Sequence, residues 1–156
     1  RDMNAALWGT AKGVRVLSEG RSQGLNPALR TGIRFAERQG AEQVLIVPAD
    51  VPLAKPKDLN RILRAGRETS VLIVPSYDGG GTNALLLRPP DVMRVSYGRN
   101  SFKRHCRLAR KKGLRARILK ARSLQLDVDT PLDLTRIRLS SGNTKSQKLL
   151  RRGFGY

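Results

Sequence analysis

Three aspartates follow short apolar runs, and carboxylates in such positions can bind a divalent cation. Asp50 follows the apolar residues 44–47, and Asp127 and Asp129 belong to the segment Leu-Asp-Val-Asp-Thr-Pro over residues 126–131. In an extended segment, residues two apart point to the same side, so Asp127 and Asp129 would face one ligand. Mg²⁺ uses one or two carboxylates and leaves its other positions to water and phosphate oxygens. The three carboxylates therefore predict a magnesium site.

Each aspartate also has a simpler interpretation. Asp50 could start a turn, and Asp129 or Thr130 could cap a helix that Pro131 opens. The chain has only 12 acidic residues against 31 Lys and Arg. Three carboxylates gathered at strand ends in so basic a chain favour the metal site.

Two further segments could bind an anion. Residues 78–83 read Asp-Gly-Gly-Gly-Thr-Asn, and the backbone N–H groups of this turn, with the hydroxyl of Thr82, could hold a phosphate or carboxylate. A plain hairpin turn is the competing interpretation. Gly98 and Ser101 flank the start of a predicted helix, where free N–H groups and the helix dipole attract anions.

The elements that must position these residues follow an α/β pattern. Apolar runs of four to six residues alternate with segments of helical period, which is typical of a three-layer fold with a mostly parallel sheet. In such a sheet, ligands bind beyond the carboxyl ends of the strands. Strands are predicted near residues 14–17, 43–48, 70–75, 83–87, 114–119 and 124–127.

Helices are predicted between these strands. They begin near Pro27, Pro56, Asn100 or Ser101, and Thr130; the first three end near Gly40, Gly66 and Gly113, and the last has Pro131 in its first turn with Asp133 completing a capping box. His105 and Cys106, on the third helix, are predicted to be packing or surface residues because neither has a partner for acid–base or nucleophilic work.

The sequence predicts one domain over residues 1–139 and a loosely attached basic tail over residues 140–156, where Ser, Gly, Asn and Lys dominate. No apolar run approaches the roughly 18 residues of a membrane helix. The single cysteine and the lack of zinc-type Cys/His spacing favour a reducing cytoplasm.

The formal charge of +19 predicts anionic partners. Residues 92–126 hold twelve Lys or Arg and no Asp or Glu, and such a field attracts nucleic acid, nucleotides and phosphorylated metabolites alike. The seven aromatic residues form no base-stacking motif, so we expect nucleic acid to bind only non-specifically. A solvated basic face without a specific partner is the alternative.

Five motifs, in this order, resemble the 2-phospho-L-lactate guanylyltransferase family, which includes phosphoenolpyruvate guanylyltransferases. The resemblance covers nearly all of residues 20–137, and the order of the motifs makes it specific. The motifs are Gly-Leu-Asn-Pro-Ala-Leu (24–29), Val-Pro-Ala-Asp-Val-Pro-Leu (47–53), Gly-Thr-Asn-Ala-Leu-Leu-Leu-Arg-Pro-Pro (81–90), Tyr-Gly-Arg-Asn-Ser-Phe (97–102) and Leu-Asp-Val-Asp-Thr-Pro (126–131).

The resemblance implies a Rossmann-like fold of the nucleotide-diphospho-sugar-transferase type and a reaction in coenzyme F-420 biosynthesis. GTP would be joined to 2-phospho-L-lactate or phosphoenolpyruvate with release of pyrophosphate, in a protein that could be a homodimer. Position by position, it implies that Asp50, Asp127 and Asp129 bind the metal. It further implies that Thr82, Gly98, Ser101 bind the phospho-acid and that Asn26 lies beside the nucleotide.

Family members begin with a strand and a Lys/Arg-bearing loop for the triphosphate, and nothing in this sequence corresponds to them. On the order of 30 or more residues of a strand–loop–helix–strand unit would then be missing. Either the sequence is a fragment, which we expect, or the protein has lost part of its GTP site. Two other functions stay open. One is a related nucleotidyltransferase with another acceptor, and the other is a non-catalytic basic domain that binds nucleic acid.

Overall fold

The structure is a computed structural model that describes residues 13–18, 21 and 23–152. Within this part, four strands form one sheet in the order β1-β3-β2-β4. The strands are β1 (Val44–Ile46), β2 (Val71–Pro75), β3 (Thr82–Leu87) and β4 (Arg117–Ile118). Strand β3 is antiparallel to both neighbours, whereas β2 and β4 are parallel. Three described strands thus share one direction, but the sheet is mixed because β3 lies between β1 and β2.

Six α-helices accompany the sheet in the described residues. They are α1 (Leu25–Arg38), α2 (Pro56–Ala65), α3 (Ser101–Lys111), α4 (Arg122–Gln125), α5 (Pro131–Leu139) and α6 (Lys145–Arg152). Proline stands in the first turn of α2 and α5 as predicted, where its missing N–H costs no hydrogen bond. No helix in residues 13–18, 21 and 23–152 is long and apolar enough to cross a bilayer.

The two faces of the sheet bury separate apolar clusters, which confirms the three-layer α/β fold. On one face, Leu72 and Leu86 pack with Ile62 of α2 and Leu124 of α4. On the other, Ile73, Leu85 and Leu87 pack with residues of α1 and α3, among them Leu29, Ile33 and Ala109. Alternation along the strands sends successive side chains to opposite faces, so each central strand contributes to both clusters.

A β-bulge interrupts this alternation at the start of β3. Val74 pairs with Ala84 but Pro75 pairs with Thr82, which leaves Asn83 as an extra residue. Consequently Thr82 contacts α3, on the face of Leu85 and Leu87, while the Asn83 amide donates to the carbonyl of Gln125 at the end of α4 (3.1 Å). Bulges re-aim side chains in this way next to many active sites.

Three predicted strands differ from the structure. Residues 14–17 form no strand, and Val14 is 56% exposed. Of residues 114–119 only Arg117–Ile118 pair with β2. Residues 124–127 are not a strand, because Leu124 and Gln125 close a short helical turn whose N–H groups bond the carbonyl of Ala121. A short apolar run does not distinguish a buried helical turn from a strand.

The segment predicted to be a loose tail includes helix α6, which is docked against α5. Gln147 is fully buried, and its amide N–H groups bond the carbonyl of Ile137 (3.3 Å) and the carbonyl and hydroxyl of Ser140 (both 3.0 Å). These carbonyls end α5 and would otherwise lack partners. The polar composition of this segment therefore reflects polar docking rather than looseness; the domain boundary at residue 139 stays a prediction.

Candidate active site

The glycine-rich turn between β2 and β3 is built around its own hydrogen bonds. Asp78 accepts the hydroxyl of Ser76 and the N–H of Gly80 (2.9 Å), and the N–H of Gly81 bonds the Ser76 hydroxyl (2.6 Å). The Ser76 hydroxyl, followed by the Gly80 N–H, lowers the pKa of Asp78. We predicted that the N–H groups of this turn would hold an anion, but those of Gly80 and Gly81 already have partners inside the turn.

The N-terminus of α3 lies against this turn. The N–H of Phe102 points to the carbonyl of Gly80 (3.4 Å), and the N–H of Ser101 bonds the carbonyl of Gly98 (3.0 Å). Gly98 has a φ of +111°, which favours glycine. The hydroxyl of Ser101, in a buried residue, and the positive end of the helix dipole thus remain to bind an anion there.

Thr82 contacts a histidine of this helix, which the sequence analysis predicted to be a packing or surface residue. His105 is fully buried, its Nδ1 lies 3.0 Å from the hydroxyl of Thr82, and its Nε2 accepts the N–H of Ser96 at 2.9 Å. Burial, and secondarily the nearby Arg104, lower the pKa of His105 to about 4. One signal in the sequence pointed here: Ser101 and His105 are four residues apart and share a helix face.

Two buried donors in residues 97–104, the segment that includes the start of α3, have no partner within the described residues. They are the hydroxyl of Tyr97 and the Nε of Arg104. Burial raises the pKa of Tyr97, so its hydroxyl keeps its proton, and the ring meets His105 edge-on with centroids 5.0 Å apart. Buried polar groups in native structures are normally paired, and two unpaired donors in the segment that contains Ser101 suit an anionic ligand.

Asn26, predicted beside the nucleotide, contacts the backbone of Tyr97. Its side-chain oxygen accepts the Tyr97 N–H (2.7 Å), and its amide donates to the Tyr97 carbonyl (3.1 Å). The start of α1 is therefore tied to the 97–101 loop. Contact with a nucleotide stays a prediction for Asn26.

A backbone hydrogen bond joins the segments that carry the predicted carboxylates. The N–H of Val128 bonds the carbonyl of Asp50 (3.1 Å), which joins the segment after β1 to the 127–129 segment. Asp50 is exposed in a turn, as its simpler interpretation predicted. The cap of α5 is formed by Thr130 and Asp133: the Asp133 carboxylate accepts the N–H (2.9 Å) and hydroxyl (2.7 Å) of Thr130. Capping therefore does not require Asp129.

Asp127 carries the clearest electrostatic signal among these aspartates. Its pKa is raised, first by burial and further by the charges of Asp129 and Asp78, while a hydrogen bond from Asn83 opposes the shift. Asp127, Asp129 and Asp78 line one cleft of about 370 Å³, with Arg136 and Thr130 on its rim. Asp78 was not part of our predicted site. The signal in the sequence was its position as an acidic residue in the glycine-rich turn of a basic chain.

Two of the three predicted carboxylates are suited to bind Mg²⁺. In the part of the chain that the structure describes, no three His, Cys, Asp or Glu side chains converge as ligands, so the predicted trio of Asp50, Asp127 and Asp129 is not assembled. A pair of carboxylates suffices for Mg²⁺, which takes its other ligands from water and phosphate. Asp127 and Asp129 fit that requirement, because a bound cation would offset the charge repulsion and the desolvation that raise the Asp127 pKa.

Comparison with known proteins identifies the family. The family described as "Guanylyl transferase CofC like" matches residues 6–155. The chain belongs to this guanylyl transferase family. The resemblance expected from the five motifs is thereby confirmed, and these motifs hold Thr82, Gly98, Ser101 and the three aspartates described above.

The relatives of this CofC-like chain are named for two different acceptors. A phosphoenolpyruvate guanylyltransferase of Rubrobacter xylanophilus is 42% identical over 120 residues, covering 76% of this chain and 58% of the relative. One of Conexibacter woesei is 44% identical, covering 74% and 52%. A 2-phospho-L-lactate guanylyltransferase of Methanocaldococcus sp. FS406-22 is 31% identical, covering 97% and 72%. The chain thus spans little more than half the length of the first two.

A solved structure supports the fold. A protein of Desulfovibrio desulfuricans G20, described as a nucleotide-diphospho-sugar transferase, superposes with a TM-score of 0.67 at 21% identity. The match covers 85% of this chain and 60% of that protein. The predicted nucleotide-diphospho-sugar-transferase-like fold is confirmed.

Proposed function

We propose that this chain carries the acceptor-binding and carboxylate part of a guanylyltransferase site. GTP would be joined to a small phosphorylated acid, phosphoenolpyruvate or 2-phospho-L-lactate, in a step of coenzyme F-420 biosynthesis in the cytoplasm. Two observations carry the proposal: Thr82 contacts His105 of α3, and buried Ser101 begins the same helix. Hydroxyls, a guanidinium and a helix N-terminus together suit an ionised phosphate and carboxylate.

The reaction needs positioning rather than a covalent nucleophile. A phosphate oxygen of the acid attacks the α-phosphorus of GTP and forms a new P–O bond. The bond from that phosphorus to the oxygen bridging to the β-phosphate breaks, and pyrophosphate leaves with the electron pair. Both reactants are anions, so alignment and charge neutralisation supply most of the rate enhancement.

The residues divide this work. Thr82 and Ser101 would orient the acid, Arg104 would offset its charge, and Gly98 leaves the space they need. A side-chain carbon on Gly98 would lie 3.0 Å from the Arg104 guanidinium. Asp127 and Asp129 would hold Mg²⁺, which when bound neutralises phosphate charge during the transfer. Cys106 takes no part, because it packs in the core and burial raises its pKa.

Of the two acceptors, identity favours phosphoenolpyruvate. The relatives named for it are 42% and 44% identical to this chain, and the relative named for 2-phospho-L-lactate is 31% identical. We expect the preference to appear as a ratio of kcat/KM values, which is how an enzyme discriminates between substrates.

The test is a direct assay of the protein at its natural length. It is incubated with GTP, MgCl₂ and either acid, and the guanylylated product and pyrophosphate are followed by chromatography and mass spectrometry. Product formation with GTP but not with CTP or ATP supports the proposal. Use of CTP or ATP alone, or turnover only with an unrelated acceptor, would assign the chain to another nucleotidyltransferase.

A further inference from the structure

We infer that His105 is a positioning residue, which turns the hydroxyl of Thr82 into a dedicated donor toward the phosphorylated acid. This inference rests on the proposed function, because it assigns a task within the same acceptor site. It concerns a residue outside the five sequence motifs. Its evidence is the pair of hydrogen bonds that the buried imidazole makes.

Those two hydrogen bonds determine the tautomer of the ring. The backbone N–H of Ser96 can only donate, so Nε2 of His105, 2.9 Å away, must accept and carries no hydrogen. A neutral imidazole then has its single hydrogen on Nδ1. Nδ1 lies 3.0 Å from the Thr82 hydroxyl, and therefore the ring donates to that oxygen.

The hydrogen bond from His105 to Thr82 determines where the Thr82 hydroxyl can donate. Because the Thr82 oxygen accepts from His105, its own hydrogen must point elsewhere. Ser101 lies one helical turn before His105 on the same face of α3, so in the proposed site the acid would lie between Ser101 and the Thr82 hydroxyl. The site is then complementary to oxygens that only accept, as in an ionised phosphate or carboxylate.

The fold ensures that the ring cannot turn to another arrangement. His105 is fully buried, and the Tyr97 ring packs edge-on against it. Thr82 reaches this face only because the bulge at Asn83 reverses the alternation of β3. The bulge at Asn83 and His105 together fix the direction in which the Thr82 hydroxyl donates.

Two substitutions separate the two hydrogen bonds. In His105→Asn the amide occupies the Nδ1 position, so it can donate to Thr82 but loses the bond from Ser96. In His105→Gln the longer side chain can accept from Ser96 but leaves Thr82 without its donor. We expect His105→Gln to raise KM for the acid about ten- to hundredfold, with a smaller change in His105→Asn. KM for GTP should stay near its original value in both.

Controls keep the result interpretable. Cys106→Ala, a packing change beside His105, should leave KM for the acid unchanged. Thr82→Val should raise that KM by itself, and adding His105→Gln to it should have little further effect, because the residues act as one unit. Equal KM values in His105→Gln and His105→Asn, or additive effects in the double variant, would overturn the inference.

A readout that needs neither turnover nor substitution completes the test. The ¹⁵N chemical shifts of His105 distinguish a hydrogen on Nδ1 from one on Nε2 in the wild-type protein. A hydrogen on Nε2 would refute the inference even in an active enzyme. If the tautomer is on Nδ1 but the wild-type protein transfers no guanylyl group to either acid, the proposed function fails instead.

Discussion

Asn26 holds the backbone of Tyr97 with both ends of its side-chain amide, at 2.7 and 3.1 Å. This pair of bonds joins the start of α1 to the loop that leads into α3. Asn26 is half-buried, so neither bond is freely exchanged for water. The residue expected beside the nucleotide therefore also supports the 97–101 loop.

We predict that Asn26→Ala lowers the free energy of unfolding by about 1 to 3 kcal/mol, because two partly buried backbone groups lose their partner. KM for the phosphorylated acid should rise as the 97–101 loop loosens. Urea unfolding and steady-state kinetics measure the two effects. Thr31→Ala, which removes an exposed hydroxyl on the same helix, is the matched control and should change neither.

Removing the charge of Asp127 should stabilise the metal-free protein. Its pKa is raised in the folded state, so the ionised form costs stability at neutral pH, above the unfolded pKa. Asp127→Asn should therefore raise Tm at pH 7 without Mg²⁺. MgCl₂ should raise Tm in the wild type and much less in Asp127→Asn, whereas turnover should fall sharply in this variant.

Asp91→Asn, at an exposed position, controls for the loss of one negative charge from the chain. Asp50→Asn is measured alongside, since only its backbone contacts the 127–129 segment. An equal Mg²⁺ effect on Tm in the wild type and in Asp127→Asn would contradict the metal site. Near-normal turnover in the Asp50, Asp127 and Asp129 variants would remove the carboxylates from the mechanism.

Asp129 and Asp133 should separate metal binding from helix capping. Asp133→Ala should lower Tm, because it deprives the N–H and hydroxyl of Thr130 of their acceptor. Asp129→Ala should leave Tm nearly unchanged and reduce Mg²⁺-dependent turnover. Circular dichroism and the guanylyl-transfer assay measure the two quantities. The reverse pattern, with Asp129→Ala the less stable variant and fully active, would identify Asp129 as the cap.

Acidification should destabilise the fold through His105. The folded-state pKa of about 4 is below the unfolded value of about 6.5, so the unfolded chain takes up the proton first. The stability that neutral His105 contributes to the fold is fully present above pH 6.5 and is lost as the pH falls toward 4. Between pH 7.5 and pH 5 the wild type should lose about 2 kcal/mol more than His105→Asn, measured by urea unfolding. Equal losses would show that His105 titrates normally.

The basic surface should bind polyanions weakly and without sequence preference. Lys103, Arg107, Arg110 and Lys111 are exposed along α3, and no carboxylate lies between residues 92 and 126. Fluorescence anisotropy with two unrelated DNA duplexes should give equal affinities that fall steeply with salt. A tight complex with one duplex only, at physiological salt, would favour a nucleic-acid-binding function.

The sequence by itself determined the α/β class, the limits of the main helices and the segments that carry the chemistry. These features depend on neighbouring residues: proline opens α2 and α5, and Thr130 with Asp133 closes the cap of α5. The order of the five motifs sufficed for the family, because each motif is a local pattern.

Only the tertiary structure decided how these segments meet. The extra residue Asn83 turns Thr82 toward α3, which an alternating pattern assigns to the opposite face. The partners of His105 lie 9 and 23 residues away, and the Gln147 amide bonds the carbonyl of Ile137 in another helix, 10 residues away. Such contacts depend on burial and on the pairing of distant backbone groups. No local spacing encodes them, so the contact between His105 and Thr82 emerged only once the chain was folded.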